Sequence, residues 1–222
     1  MTTEAWPACP LCGSAATAGF ATVDSGRYGR CGECGLVFQH PDERPDALTE
    51  HELYLTHDNR PDDPGYRRFL SRLTEVLVPA LPAGAEGLDY GAGPGPALAG
   101  MLTEAGFPTA VYDPFFAPDT APLRRRYDFI VCTETAEHFH RPGAEFERLA
   151  ALLKPDGRLG LMTRRLEPDT DFAAWHYHRD PTHVSFYGRR TLEWLARRHG
   201  WTCRCHGIDV AVFAAGTSPA GG

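Results

Sequence analysis

Short apolar runs alternate with helix-period stripes along the last two thirds of the chain. Each run is four to six residues long, the length of a buried strand, and glycine- or proline-rich turns bound it. Between the runs, apolar residues recur every three or four positions, as they do from Tyr66 to Leu77. The runs predict strands at 87–90, 109–112, 127–132 and 158–163, and the stripes predict helices at 66–77, 97–102, 146–153 and 191–199. This alternation predicts an α/β fold with a doubly wound, Rossmann-like sheet.

One part of this alternation is too short for a complete doubly wound sheet. About 13 residues separate Asp113 from the strand predicted at 127–132. A full helix–strand–helix excursion does not fit into that length, because a parallel crossover alone needs a dozen residues. The third βα unit is therefore expected to be shortened or missing.

The first forty residues have a different character, set by their cysteines. Two Cys-x-x-Cys-Gly turns are separated by 18 residues, a spacing typical of four-thiolate zinc sites. The predicted ligands of a structural zinc are Cys9, Cys12, Cys31 and Cys34. The other cysteines, Cys132, Cys203 and Cys205, lie in predicted strands as core residues do. The predicted organisation is a zinc ribbon at 1–40, a linker or lid at 41–65 and the α/β domain at 66–222. The linker or lid is polar and rich in proline, with a short helix predicted near 48–55 and a polar stretch at 57–59.

Charge narrows the choice of partners. The 222-residue chain has a formal net charge of −7, and residues 1–40 hold two basic against three acidic side chains. A surface that binds phosphates needs clustered Lys and Arg, so we expect no nucleic-acid partner. No apolar run is long enough to cross a membrane, and the N-terminus lacks the basic head and apolar core of a secretory signal. We expect a cytoplasmic protein that acts on a small molecule, with its oligomeric state left open.

The turn after the first predicted strand carries the clearest binding signal. It reads acid-x-Gly-x-Gly-x-Gly from Asp89 to Gly95, and its glycines let a ligand approach the backbone closely. Asp113 ends the next strand, 20 residues after Gly93, where a doubly wound sheet places the acid that binds a ribose. A dinucleotide is disfavoured, because Pro96 stands where its fingerprint needs Gly or Ala and because Asp89 repels a pyrophosphate. A cationic, phosphate-free nucleoside suits this loop better.

This turn resembles the first motif of the class I SAM-dependent methyltransferases. The Glu-His pair followed by a proline at 137–142 and the Leu-Lys-Pro-x-Gly turn at 153–157 resemble the ubiquinone-biosynthesis type of these enzymes, and the resemblance covers about residues 66–202. It implies S-adenosyl-L-methionine (SAM) as the cofactor and methyl transfer as the reaction. The residues implied for SAM are Gly91, Gly93 and Gly95 at the methionine part, Asp89 at the ammonium, Asp113 at the ribose, Thr133 on the same sheet edge, and Pro114 and Phe115 as candidates for contact with adenine.

Candidate catalytic residues follow the strand predicted at 127–132. Ligands of an open α/β sheet bind beyond the carboxyl ends of its strands, which places Glu134, Glu137 and His138 near the transferring methyl group. A histidine-rich segment at 172–187 stands where the resembling enzymes have an insertion that lines the acceptor pocket. We name His138 and His183 as general-base candidates, with Glu134 orienting one of them.

Several alternatives stay open. The histidines suit a hydrogen-bonded loop, acid–base catalysis, or a second metal site built from Glu134, His138, His178 and His183, of which the first two stand one helical turn apart. The whole chain also suits an RNA methyltransferase that uses its ribbon for substrate binding, or a module that binds SAM and transfers nothing. The residues do not decide whether the acceptor atom is oxygen, nitrogen or carbon.

Overall fold

The computed structural model describes residues 6–56 and 59–216, which form two sheets and five α-helices. The strands are β1 (Thr17–Val23), β2 (Gly26–Cys31), β3 (Val37–Gln39), β4 (Gly87–Tyr90), β5 (Thr109–Tyr112), β6 (Tyr127–Thr133), β7 (Leu153–Met162), β8 (Ser185–Phe186), β9 (Trp201–His206) and β10 (Val210–Ala215). The helices are α1 (Ala47–Tyr54), α2 (Pro64–Leu77), α3 (Ala97–Glu104), α4 (Pro142–Leu152) and α5 (Arg189–His199). His57 and Asp58, which belong to the segment that we predicted as a linker or lid, lie outside the described residues. Within the described ranges, no helix has the length and apolarity needed to span a membrane.

The larger sheet has the strand order β5-β4-β6-β7-β10-β9. β4 to β7 run parallel, and β10 runs antiparallel to both of its neighbours. Parallel neighbours need a crossover, which α3 supplies between β4 and β5, and α4 between β6 and β7. Residues 113–126, all of them described, contain a short 3-10 helix (Ala121–Arg124) but no further strand or α-helix. The prediction of a missing third βα unit is confirmed.

Helices cover both faces of this sheet, as a doubly wound fold requires. On one face, Leu70, Leu73 and Leu77 of α2 belong to the same buried cluster as Phe129 and Val131 of β6. Helical spacing brings the three leucines to one side of α2, and each buried side chain contributes about 1.5–3 kcal/mol. The opposite face is covered by α4 and α5, whose apolar residues form a second cluster with the sheet. The predicted α/β architecture is thus observed.

β7 begins earlier than predicted. It starts at Leu153 and includes the Lys-Pro-Asp-Gly turn that we predicted to precede it. Its pairing with β6 passes from Leu153 opposite Tyr127 to Arg158 opposite Phe129, so the turn bulges out of a continuous ladder. Asp156 adopts the left-handed conformation in this bulge, with φ 63°. Turn residues therefore mark an irregularity within a strand here, rather than its start.

The smaller sheet joins the cysteine-rich module to the histidine-rich segment. Its order is β1-β2-β3-β8, and all neighbours are antiparallel. Val37 and Phe38 of β3 pair with β8, and the Gln39 N–H donates to the Val184 carbonyl at 2.9 Å. We predicted no strand at 185–186, because two residues are too few to show a period. The last residues of the histidine-rich segment are therefore hydrogen-bonded to the cysteine-rich module.

The cysteine-rich module also packs directly on α4 and α5. The N–H of Gly143, in the first turn of α4, donates to the Pro10 carbonyl at 3.1 Å. The guanidinium of Arg190, on α5, donates to the Glu33 carbonyl at 3.0 Å. Leu36 of the module is fully buried in the same cluster as residues of α4 and α5. The module shares this core, which is consistent with its small size and limited core of its own.

Candidate functional site

A cavity of about 390 Å³ opens at the carboxyl ends of β4, β5 and β6. Open α/β sheets bind their ligands at this edge, and the volume is typical of small-molecule sites. The glycine loop and Asp113 form one part of its wall, and residues 133–135 and 138–141 form another. Glu137 and His183 are not among the described residues that line it. α1 contributes Glu50 and Tyr54. The cavity therefore brings together the predicted donor residues and part of the predicted catalytic set.

The glycine loop turns in a conformation that other residues rarely adopt. Gly91 and Gly93 have φ angles of 77° and 66°. A Cβ on Gly91 would lie 2.2 Å from the Thr135 side chain, so this glycine is needed for close packing. A Cβ on Gly93 would meet no described atom within 4 Å, so the chain leaves open space beside it. The loop thus presents bare backbone to the cavity.

Asp113 holds this loop to the end of β5. Its Oδ2 accepts the Gly93 N–H at 2.9 Å, and its Oδ1 accepts the N–H groups of Phe115 and Phe116 at 2.8 and 3.0 Å. The residue is 6% exposed and lines the cavity. An ionised carboxylate offers about four acceptor positions, so Oδ2 retains a lone pair for a ligand hydroxyl. This geometry fits the ribose role predicted for Asp113.

Asp89 is a buried acid with an unsatisfied oxygen. Its side chain is on the cavity wall and the residue is 2% exposed. Oδ2 accepts the Ala99 N–H at 3.2 Å, whereas Oδ1 has no hydrogen-bond partner among the residues that the structure describes. Burial, opposed by the Ala99 hydrogen bond, raises the pKa of Asp89 to about 7. A cationic ligand beside Oδ1 would satisfy this oxygen and favour its charged form.

Aromatic rings line the cavity where Asp113 ends β5. Phe115 and Phe116 are on the wall, and the His51 ring of α1 lies 5.6 and 5.5 Å from their ring centroids. The Tyr54 ring lies 5.6 Å from Phe115 and 5.2 Å from His138. α1 therefore contacts both the Asp113 end and the His138 end. Pro114 is on the wall as well, and contact of Pro114 and Phe115 with adenine stays a prediction.

The structure brings His138 and His183 together. Their ring centroids are 4.8 Å apart. Nδ1 of His138 is 3.0 Å from the Thr182 carbonyl, and Nδ1 of His183 is 2.6 Å from the Tyr177 carbonyl. A carbonyl only accepts, so each Nδ1 carries a proton. Burial lowers the pKa of His138 below its usual value, which favours its neutral form with a lone pair on Nε2.

Glu137 lies behind this pair. It is fully buried, and its Oε1 accepts the Tyr177 hydroxyl at 2.5 Å. Its Oε2 has no hydrogen-bond partner in the described part of the chain. Burial and the charge of Glu137 raise the pKa of Tyr177, so its hydroxyl stays protonated and donates a hydrogen bond to Glu137. Ligand atoms of Glu137, His138 and His183 lie within 4.8 Å of one another.

Glu134 lines the cavity but does not join this group. Its φ of 46° is rare for a residue other than glycine, and its N–H donates to the Met162 carbonyl at 2.8 Å. Burial and the nearby charge of Glu137 raise the pKa of Glu134 to about 9, so its carboxyl is protonated at pH 7. Among the described residues, its side chain makes no hydrogen bond to His138 or His183. Backbone carbonyls hold those rings, and the orienting role of Glu134 stays a prediction.

His178 lies away from the other two histidines, so the four-residue metal set suggested by the sequence does not assemble. Its Nδ1 is 2.7 Å from Ser25 Oγ, and its ring stacks on Phe172 at 5.0 Å. The cause is the pairing of β8 with β3, which lays the preceding chain against Tyr28 of the module. Glu137, and not Glu134, stands beside His138 and His183.

A comparison of the chain with protein families decides its class. A family model for a methyltransferase domain matches residues 63–206, which is more than half of the chain. The chain belongs to the class I SAM-dependent methyltransferases. It is therefore an enzyme. No curated protein sequence matches it significantly.

Solved structures share the methyltransferase fold at low sequence identity. A SAM-dependent methyltransferase from Archaeoglobus fulgidus has a TM-score of 0.52 at 14% identity, over 76% of this chain and 99% of that chain. The 1,6-didemethyltoxoflavin N1-methyltransferase from Burkholderia thailandensis has a TM-score of 0.50 at 20% identity, over 82% and 96%. An O-methyltransferase family protein from the same organism has a TM-score of 0.50 at 17% identity, over 78% and 68%. These likenesses show the fold, and the ubiquinone-biosynthesis type stays a prediction.

The four paired cysteines of this methyltransferase converge on one point. Sγ of Cys9 is 3.5 Å from Sγ of Cys34, and Sγ of Cys12 is 3.5 Å from Sγ of Cys31. All four sulfurs lie within 4.8 Å of one another. Thiolates bound to zinc at about 2.3 Å in a tetrahedron are about 3.8 Å apart, so the arrangement fits the ion. With four protein ligands, such a zinc has no open position and its role is structural.

The sequence analysis missed two residues of the methyltransferase site. Tyr177 stands between two histidines in the sequence, and only the fold shows that its hydroxyl reaches Glu137. Glu50 is 8% exposed, and its Oε1 is 2.8 Å from Nε2 of His140 on the cavity wall. α1 lacks an apolar stripe that would mark its inner face, so no signal identified Glu50. The Glu-His pair at 137–138 did draw attention to Glu137, the residue that accepts the Tyr177 hydroxyl.

Proposed function

We propose that this methyltransferase moves the methyl group of SAM to a small-molecule acceptor. The observation that supports it best concerns Asp89, a buried acid on the cavity wall whose Oδ1 finds no hydrogen-bond partner in the described part of the chain. The ammonium of SAM supplies a partner of the right charge, whereas a pyrophosphate would be repelled. In this proposal Gly91, Gly93 and Gly95 seat the methionine part, Asp113 binds the ribose, and Thr133 lies on the same edge.

A small acceptor is supported by the shape of the cavity. Its wall includes Tyr54 of α1, whose ring packs on both Phe115 and His138. A cavity of this kind excludes water around the reacting groups and suits a compact molecule better than a polymer. The net charge of −7 argues in the same direction. The related enzyme from Burkholderia thailandensis was solved with 1,6-didemethyltoxoflavin and S-adenosylhomocysteine, both small molecules.

Methyl transfer in this cavity would depend chiefly on alignment. The acceptor's nucleophilic atom attacks the methyl carbon as the bond from that carbon to sulfur breaks, and S-adenosylhomocysteine leaves. We propose that the acceptor sits at the His138 end, where Nε2 of His138 on the cavity wall takes up its proton and His183 packs against that ring as the second general-base candidate. Glu134, protonated at pH 7, would donate a hydrogen bond to the acceptor or to a water beside it.

The donor assignment is tested by calorimetry with SAM, S-adenosylhomocysteine and NAD. We expect binding of both nucleosides in the micromolar range and no heat with NAD. Labelled SAM is then incubated with the protein and with small-molecule or RNA fractions of a cell extract. Label in the small-molecule fraction supports the proposal, whereas label in the RNA fraction would show that the acceptor is RNA. Binding of a dinucleotide in preference to SAM would refute the donor assignment.

We also propose that Cys9, Cys12, Cys31 and Cys34 hold a structural zinc and that the chain comprises a ribbon at 1–40, a linker or lid at 41–65 and the methyltransferase domain at 66–222. β8 is the strand by which the last unit completes the sheet of the first. None of the seven cysteines, all of them in described residues, forms a disulfide, and this supports our proposal that the protein works in a reducing compartment such as the cytoplasm.

A further inference from the structure

Two imidazoles and one carboxylate meet beside the acceptor end of the cavity. Ligand atoms of Glu137, His138 and His183 lie within 4.8 Å of one another. A divalent metal bound about 2.0–2.2 Å from each ligand needs them about 3.0–3.5 Å apart. The difference is about an ångström or two, which small side-chain rotations cover. His138 is on the cavity wall, so an ion in this group adjoins the cavity.

Both imidazoles are held in the way that metal-binding histidines are. A ligating histidine donates its other N–H to a carbonyl or a carboxylate, which fixes the ring and directs the remaining lone pair. Here the Thr182 and Tyr177 carbonyls accept from the two Nδ1–H groups at 3.0 and 2.6 Å. Because a carbonyl occupies Nδ1 in each ring, Nε2 is the atom that each ring can offer to an ion. Asp180 Oδ2, 3.8 Å from Nε2 of His183, places a second carboxylate beside the site, which attracts a cation there.

The carboxylate gives an independent indication of a missing partner. Glu137 is fully buried, and Tyr177 satisfies only its Oε1. Oε2 has no partner in residues 6–56 and 59–216. A buried carboxylate oxygen without a hydrogen bond is costly, because nothing replaces the water that it has lost. A cation at the meeting point of the three residues offsets this cost.

We propose that Glu137, His138 and His183 bind a divalent transition-metal cation, in addition to the zinc of the cysteines. Two nitrogen ligands and one oxygen ligand favour Zn²⁺, Fe²⁺, Co²⁺ or Mn²⁺ over Mg²⁺ and Ca²⁺, which prefer oxygen alone. Three protein ligands leave coordination positions open for water or for a heteroatom of the acceptor. The part that concerns the acceptor rests on the proposed function. In the metal-loaded enzyme both Nε2 atoms are ligands, so an acceptor heteroatom would bind the cation, which lowers the pKa of that heteroatom, and its proton would pass to solvent water in place of an imidazole.

The site is tested by metal stoichiometry and by a second ion that thiolates bind poorly. Full-length protein is saturated with zinc, freed of excess ion, and analysed by mass spectrometry. We expect two zinc ions per chain for the wild type and one for Glu137→Gln and for His183→Gln. The zinc-loaded variants, in which the cysteine site is full, are then titrated with Mn²⁺, with free ion followed by paramagnetic resonance. Both variants should bind Mn²⁺ at least ~10-fold more weakly than wild-type protein freed of its second zinc.

His176→Gln is the matched control, because His176 is an exposed histidine of the same segment outside the group. It should keep two zinc ions. SAM binding, measured on every variant, shows that the fold is intact. Two results would each overturn the metal site. One is a wild-type protein that holds one zinc per chain and binds no Mn²⁺, and the other is two zinc ions per chain in Glu137→Gln and His183→Gln. If SAM still binds and methyl transfer proceeds with only the cysteine zinc present, the metal site fails and the proposed function stands.

Discussion

The two ends of the cavity are built in different ways. The donor end comes from residues 89–95 and 113, which adjacent strands bring together through backbone hydrogen bonds to Asp113. The wall of the proposed acceptor end comes from α1 and from residues 134–135 and 138–141, which lie far apart in the sequence, and the histidine segment packs behind it, where His183 lies against His138. β8 attaches that segment to the cysteine-rich module. The donor end depends on local geometry, whereas the acceptor end depends on a second sheet.

This difference indicates what each end tolerates. A change at the donor end alters the loop or one carboxylate and leaves the rest of the cavity in place. A change that unfolds the small sheet removes the support of Tyr177 and His183, even when it lies far from the cavity. Donor binding and turnover should therefore respond to different parts of the chain.

The largest effect is expected from Cys34→Ser. Loss of one ligand of the proposed zinc should remove most of the folding energy of the small module, and with it the pairing of β3 with β8. Turnover should fall by at least ~100-fold because the acceptor end is displaced, while the Kd for SAM changes by no more than about threefold. Methyl-transfer assays and calorimetry measure the two quantities.

The matched control for this change is Cys203→Ser. Cys203 is a half-buried thiol on β9, outside the cysteine cluster. It should keep both turnover and SAM affinity within about twofold. Equal losses of SAM binding and of turnover in Cys34→Ser would show that the two ends are not independent.

A smaller effect is expected at the donor end from Asp113→Ala. It removes the acceptor of the Gly93, Phe115 and Phe116 N–H groups and the predicted partner of the ribose. SAM affinity should fall ~10-fold or more, on loss of a charge-assisted hydrogen bond worth roughly 1.5–3 kcal/mol. Asp119→Ala is the control, because Asp119 caps the Ala121 N–H on the surface. Unchanged affinity in Asp113→Ala contradicts the donor assignment.

The ionisation of Asp89 should make SAM binding depend on pH. Its pKa is about 7 in the free protein, so the carboxylate that pairs with the ammonium is lost as pH falls below 7. Between pH 7.5 and pH 6 the affinity should drop roughly tenfold in the wild type. Asp89→Asn should bind weakly and without this slope. A steep slope that persists in Asp89→Asn would assign the titration to another group.

The same group has the opposite effect on stability. The folded-state pKa of Asp89 lies above its usual value of 3.8, so its contribution to stability is present below pH 3.8 and is lost as pH rises through 7. Ligand-free protein should gain stability from Asp89→Asn at pH 8 and little at pH 4. Urea unfolding at the two pH values measures this difference.

The smallest effects are expected from two glycines, one in the donor-end loop and one in the α3 helix that follows it. Gly93→Ala forces alanine to φ 66° and should destabilise the protein by ~1–2 kcal/mol, although its Cβ meets no described atom within 4 Å. Gly100→Ala, inside α3 and equally free of contacts in the described chain, should stabilise by ~0.4–1 kcal/mol. Urea unfolding at one pH compares the pair. Equal effects would mean that the loop is not held in its left-handed turn.

Parts of the site were predictable because they rest on short-range rules. Asp89 and Asp113 stand at the ends of neighbouring parallel strands, so sequence spacing alone brought them to one edge. Each Cys-x-x-Cys turn likewise sets the relative positions of its two cysteines through local backbone geometry. Tyr177 and the strand β8 were missed, because a hydroxyl that reaches Glu137 and a two-residue pairing leave no periodic signal. The first residue of β7 was misplaced because a bulge carries the same residues as a turn.

The sequence by itself determined the α/β fold, the missing third unit, the position of the glycine loop and the convergence of four cysteines. These features follow from period, length and local turn chemistry. Tertiary structure alone decided which histidines meet. The pairing of β3 with β8 places His178 against the small sheet and leaves His183 beside His138 and Glu137. Which residues of two distant strands face each other depends on the register of their pairing, and their separation in the sequence does not reveal that register.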